Sequence, residues 1–113
     1  MNIKLQSDAG GELSIEESAV RSVVELAIKD IGAGSARINR RFLLGSAIRV
    51  KEHDKKLVLD LELTLTYGVH MPEAMREVQA VVKEALVKNV GIENAVVNIA
   101  VTKVEVVEPE KSS

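Results

Sequence analysis

Between residues 57 and 66 the chain places leucine at every second position: Leu57, Leu59, Leu61, Leu63 and Leu65 alternate with Val58, Asp60, Glu62, Thr64 and Thr66. Successive side chains of an extended strand point to opposite faces, so this run has one wholly apolar face and one mixed, mostly polar face. A helix would scatter the same leucines around its circumference. Such a strand needs a covering layer, and the rest of the chain must supply it. Just before it, Ala47-Ile48-Arg49-Val50-Lys51 reads as a second strand and Glu52-His53-Asp54-Lys55-Lys56 as a polar turn. Together they predict an antiparallel hairpin.

Two amphipathic segments can form the cover. Ser14-Ile15-Glu16-Glu17 has the pattern of a capping box, which predicts a helix starting at Ser14. Its apolar stripe is Ile15, Ala19, Val20, Val23, Val24, Ala27 and Ile31, and Gly32 and Gly34 end it. Glu17, Arg21, Glu25 and Lys29 alternate in sign along the other side, as on a solvated face. A second helix is expected over residues 72–89. Pro72 suits a first turn, Glu73 adds favourable charge there, and Gly91 suits a left-handed cap. Ala74, Met75, Val78, Val81, Val82, Ala85 and Leu86 form its stripe, with Glu84 and Lys88 paired on the wet side.

A valine-rich run near residues 95–104 follows. Strand, helix and strand then make one crossover, right-handed and with parallel strands. With an extended arm or strand at the N-terminus, the expected order is β-α-β-β-α-β. The expected fold is an α/β (α+β) two-layer sandwich: a small mixed sheet with two amphipathic helices on one face. One domain over residues 1–107 and a disordered tail over 108–113 complete the expectation.

Composition narrows the function classes. Tyr67 and Phe42 are the only aromatic residues, so the core is aliphatic. The absence of cysteine rules out disulfides and thiol chemistry and favours a reducing, cytoplasmic setting. No apolar run approaches the roughly 20 residues of a membrane span. The net charge of −2 argues against bulk attraction to nucleic acid.

Candidates for chemistry are few. His53 falls in a polar turn and His70 precedes a helix, neither with a second ligand at a metal spacing. Asp60 and Glu62 share the wet side of the alternating strand. Gly32-Ala33-Gly34 follows a helix instead of opening one, which is wrong for a phosphate loop. No catalytic residue, metal, cofactor or small-molecule substrate is expected. Two surface features remain. Arg37, Arg40 and Arg41 form a basic cluster that could meet acidic lipid headgroups, an acidic protein patch or RNA, or could be a solvated loop. Aromatic stacking platforms for RNA are missing. Val96, Ala100 and Val104, with Val106 beyond, alternate with Val97, Ile99 and Val101, so an apolar strip is expected on the helix-free face. Such a strip predicts a homo-oligomer, which Val104→Glu should weaken.

The chain also resembles the alkaline shock protein family of bacterial envelope stress response proteins. The resemblance is carried by Tyr67-Gly68-Val69-His70-Met71-Pro72-Glu73, by Val78-Gln79 and Val82-Lys83-Glu84-Ala85, by Gly91 and Val97-Asn98-Ile99, and by Gly10-Gly11-Glu12-Leu13-Ser14-Ile15 at the front. It spans about residues 10 to 104. Tyr67, Gly68, Pro72, Glu73 and Gly91 enter as structural members of the motif. The short, arginine-rich segment around residues 35–46 departs from the longer, glycine-rich one common in that family. The resemblance implies a non-enzymatic bacterial protein, cytoplasmic or peripheral at the inner face of the cell membrane, held there by a membrane-anchored protein partner. A regulatory role toward a metabolic enzyme of fatty-acid synthesis, or toward nucleic acid, is the alternative it leaves open.

Overall fold

A computed structural model describes residues 2–6, 10–32 and 42–106. The elements follow in the order β1 (Asn2–Gln6), β2 (Glu12–Glu16), α1 (Glu17–Gly32), β3 (Leu43–His53), β4 (Lys56–Thr66), α2 (Met71–Val90) and β5 (Val96–Glu105). β3, β4 and β5 form a mixed sheet with β4 in the middle, antiparallel to β3 and parallel to β5. Both helices lie over its leucine face, α1 against β3 and α2, and α2 against β5. The expected two-layer α+β arrangement is therefore present, with one strand more than the sequence suggested.

That extra strand corrects the reading of Ser14. Ser14 does not cap a helix. It sits in β2 opposite Lys4 of β1, in an antiparallel hairpin turned at Gly10 and Gly11, both with positive φ (80° and 112°). Leu13 and Ile15 are half-buried while Glu12, Ser14 and Glu16 are exposed, so the local period is two. The helix begins at Glu17, directly after the strand. Its buried stripe is Val20, Val24, Ala27, Ile28 and Ile31, whereas Ala19 is exposed and Ile15 belongs to the hairpin.

The face opposite that stripe is not solvated throughout. Arg21 is held by Glu17 at 3.0 Å and also donates to the Ile48 carbonyl oxygen at 2.8 Å, tying α1 to β3. α2 spans one residue more at each end than expected. It has Pro72 in its first turn, a left-handed Gly91 cap (φ 69°) and the Glu84–Lys88 pair at 2.7 Å. The Gly91 and Ile92 amides donate to the Val87 and Leu86 carbonyls and close the last turn.

The core is aliphatic around one aromatic side chain. Phe42 and all five alternating leucines of β4 are at most 1% exposed, and Val20, Val24, Ala74, Val78, Val82 and Leu86 from the helices are fully enclosed with them. Two bulges interrupt the sheet, one at Leu44 in β3 and one at Thr102 in β5. The hairpin adds Ile3 and Leu5 to the core, and the Gln6 amide donates to the Lys55 carbonyl at 3.0 Å.

Two substitutions separate packing from backbone conformation. Leu61→Ala should cost about 2–5 kcal/mol, because its neighbours on both sides are rigid elements that cannot close the void. Gly91→Ala should cost only about 1 kcal/mol, since an added Cβ would meet nothing within 4 Å and only the positive φ is penalised. Urea unfolding of both variants, followed by circular dichroism, should show that order.

Candidate functional site

The helices leave the other face of the sheet uncovered. Reading across β3, β4 and β5, its rows are Gly45–Thr64–Lys103, Ala47–Glu62–Ala100, Arg49–Asp60–Asn98 and Lys51–Val58–Val96. Small, polar and charged residues dominate these rows, with Val58 and Val96 as the apolar members. Asp60 and Glu62 stand on it side by side, as the alternation required. Asp60 joins the three strands: Lys51 Nζ lies 2.6 Å from its Oδ2, and the Asn98 amide donates to Oδ1 at 3.0 Å. These bonds, Lys51's first and then Asn98's, hold the Asp60 carboxyl below its ordinary pKa against a small opposing effect of burial.

The expected strip of Val96, Ala100 and Val104 does not run along one face. Val96 pairs with Val58 and Ala100 with Glu62, both on the open face, but the bulge at Thr102 shifts the phase. Beyond it Val104 pairs with Leu65, on the helix side, and Lys103 and Glu105 take the open face, paired with each other at 2.9 Å. An extra residue in a strand inverts every side chain after it. Val96 and Val104 are each 43% exposed, so both remain accessible, on opposite faces.

The other sequence candidates are scattered. Arg37, Arg40 and Arg41 lie outside the described residues. His53, the exposed last residue of β3, contacts Asp54 at 3.5 Å, and His70 is exposed at the start of α2. Among the described residues no group of three His, Cys, Asp or Glu side chains could hold a metal ion. Tyr67 and Gly68 (φ 89°) form the turn after β4, where the Tyr67 amide donates to the Glu105 carbonyl at 2.7 Å while its ring stays 69% exposed. Pro72, Glu73 and Gly91 start and stop α2. The family-motif positions thus build the β4–α2–β5 crossover.

Two features were missed in the sequence. Glu77 is the only charged side chain buried among the described residues, at 8% exposure. Its spacing from Ala74 and Val78 puts it within the apolar stripe, a signal available to helical periodicity. The second is a cleft of about 640 Å³ where the β1–β2 hairpin, the β3–β4 turn and the α2–β5 connection meet. Leu5, Leu13, Leu57 and Ile92 line it together with Asp54, Lys55, Lys56 and Glu93, two acids against two lysines. It was invisible without the β2 strand.

The alkaline shock protein family, described as having a cell envelope-related function, matches over residues 6–106, and the chain belongs to that family. Among curated proteins and among solved structures, none matches it significantly.

The Asp60 tie has a pH signature. A carboxyl whose folded pKa is lowered adds stability above its unfolded value, and that increment is lost as the pH falls through the folded value. Asp60 is 31% and Lys51 52% exposed, so screening keeps the effect small, about 0.5 kcal/mol. In urea titrations, Asp60→Asn should be less stable than the parent chain at pH 7, and the gap should close as the pH falls below the ordinary aspartate range and through the lowered folded value.

Proposed function

We propose that this member of the alkaline shock protein family works as a non-enzymatic structural or adaptor module at the cytoplasmic membrane surface, acting through contacts with other proteins. The observation that carries this reading is the family match over residues 6–106, which takes in every element from β2 to β5 and brings a cell envelope-related function with it. No helix among the described residues is long and apolar enough to cross a membrane. On this reading the chain reaches the envelope by docking, and the membrane-anchored element belongs to a partner. The exposed sheet face supports a role in contacts: it offers hydrogen-bonding and charged groups over three strands.

Fractionation tests the proposal. A tagged chain expressed in its own bacterium should appear in the membrane fraction, be released by alkaline carbonate, and co-purify with an integral membrane protein. Purified chain should not sediment with vesicles of neutral lipid alone. Recovery wholly in the soluble fraction with a metabolic enzyme would overturn the adaptor reading in favour of regulation. Tight binding to neutral vesicles would overturn the need for a partner.

A further inference from the structure

We propose that the cleft between the β1–β2 hairpin, the β3–β4 turn and the α2–β5 connection is a peptide site. It takes a short extended segment of a partner protein in which an acidic and a basic residue flank aliphatic ones. This rests on the reading that the chain works through contacts with other proteins, and it names where one of them is made. The volume of the cleft, about 640 Å³, lies within the roughly 300–1,000 Å³ of ordinary ligand sites. Its floor is aliphatic and already packed. Leu5, Leu57 and Ile92 are buried in the core, and the half-buried Leu13 is the one with surface to offer.

The turn on one side of the cleft carries a conformational cost. His53 pairs with Lys56, so Asp54 and Lys55 alone make the loop, and both have positive φ, 51° and 60°. A two-residue turn of that kind favours glycine in second place, because other residues enter the left-handed region at a cost. Lys55 holds that place, and its contacts within the fold do not account for a lysine there. Its amide donates to Glu52 Oε1 at 3.1 Å and its carbonyl accepts from the Gln6 amide at 3.0 Å, bonds that a glycine would make equally. Its ammonium lies 3.9 Å from Glu12, an ion pair between exposed groups that contributes little. What the lysine side chain adds is a cation at the rim of the cleft, next to Lys56.

The rim therefore has two parts of opposite sign. The turn brings Lys55 and Lys56 against one acid, Asp54, which lies beside His53. The α2–β5 connection brings Glu93, and α2 ends there at Gly91, adding the partial negative charge of a helix C-terminus. Lys56 and Glu93 are exposed, and no other described residue engages either. A ligand of one sign would be drawn to one part and repelled by the other. A segment that carries both charges, with aliphatic side chains between them over Leu13, satisfies the two at once. Gln6, exposed at the rim, has a side-chain amide that can donate to and accept from the backbone of the segment. The contact is small and mostly polar, so a short peptide should bind with a dissociation constant on the order of 1 mM.

Titration of the isotope-labelled full chain with synthetic tetrapeptides, followed by amide chemical shifts, tests this. The probes are acetyl-Glu-Leu-Leu-Lys-amide and acetyl-Lys-Leu-Leu-Glu-amide, which cover both chain directions. Acetyl-Glu-Leu-Leu-Glu-amide and acetyl-Lys-Leu-Leu-Lys-amide are the single-sign controls. At least one mixed-charge peptide should shift the amides of Leu13, Lys55, Lys56 and Glu93 saturably and bind about fivefold or more tighter than either control. Lys56→Glu and Glu93→Lys should each weaken it by about fivefold or more, while Glu25→Lys on α1 should leave it as it is. These three positions are exposed, and unchanged thermal unfolding of the variants shows that folding is intact. Lys55→Gly should weaken binding by about threefold or more without lowering the unfolding temperature, since glycine relieves the positive φ. No saturable shift up to about 10 mM peptide, shifts confined to residues outside the cleft, equal binding of the single-sign peptides, or binding indifferent to the changes at Lys55, Lys56 and Glu93 would overturn the proposal. The titration uses the purified chain alone, so its failure leaves the fractionation result standing, and a chain recovered wholly in the soluble fraction leaves the titration as it is.

Discussion

Leu57, Leu59, Leu61, Leu63 and Leu65 cannot be left in water, and the rest of the molecule is arranged around that fact. Each is at most 1% exposed. Fully burying one leucine side chain gains about 1.5–3 kcal/mol, much of it spent on ordering the chain. β4 must therefore be the central strand, because only there can neighbours on both sides and helices above close over every leucine. β3 and β5 flank it, and α1 and α2 lie side by side on its apolar face. The opposite face follows from the same alternation: it holds whatever separates the leucines, namely Val58, Asp60, Glu62, Thr64 and Thr66.

The helix-free face inherits its character from this constraint. Because β4 alternates so strictly, the polar residues between its leucines lie in a straight file down the middle of the sheet. β3 contributes Arg49 and Lys51 beside them, and β5 contributes small and amide side chains. The outcome is an open surface with separate files of opposite charge. Such a surface is suited to meeting another surface, and ill suited to enclosing a small molecule. The family to which the chain belongs has a cell envelope-related function.

Much of this was legible in the sequence, and the exceptions share a cause. β4 and α2 were readable because each carries a long pattern of one period. The β3–β4 turn was readable from its polar composition. β2 was not, because Ser14-Ile15-Glu16-Glu17 satisfies a capping box as well as a strand, and four residues cannot choose between the two. What decides is non-local: the pairing of Ile15 with Ile3 and of Leu13 with Leu5 across the Gly10–Gly11 turn. The phase of β5 beyond Thr102 was lost for a similar reason. A bulge is visible only in the register against β4, and a single strand shows no trace of it. Arg21 looked like one rung of a charge ladder, yet the nearness of the Ile48 carbonyl in β3 gave its guanidinium a second task.

The bulge at Thr102 has a consequence for how copies of the chain can join. β5 is an edge of its sheet, and an edge strand offers unused backbone groups to any extended chain that comes alongside. An added strand must keep its own apolar side chains on one face. Alongside residues 96–101 it would match the helix side through Val97, Ile99 and Val101; past Thr102 the same strand would be out of phase with Val104. A regular strand can therefore follow this edge for about six residues before its pattern fails. Edge-on growth of ribbons, the common fate of an unguarded valine-rich strand, is interrupted in mid-strand by a single inserted residue.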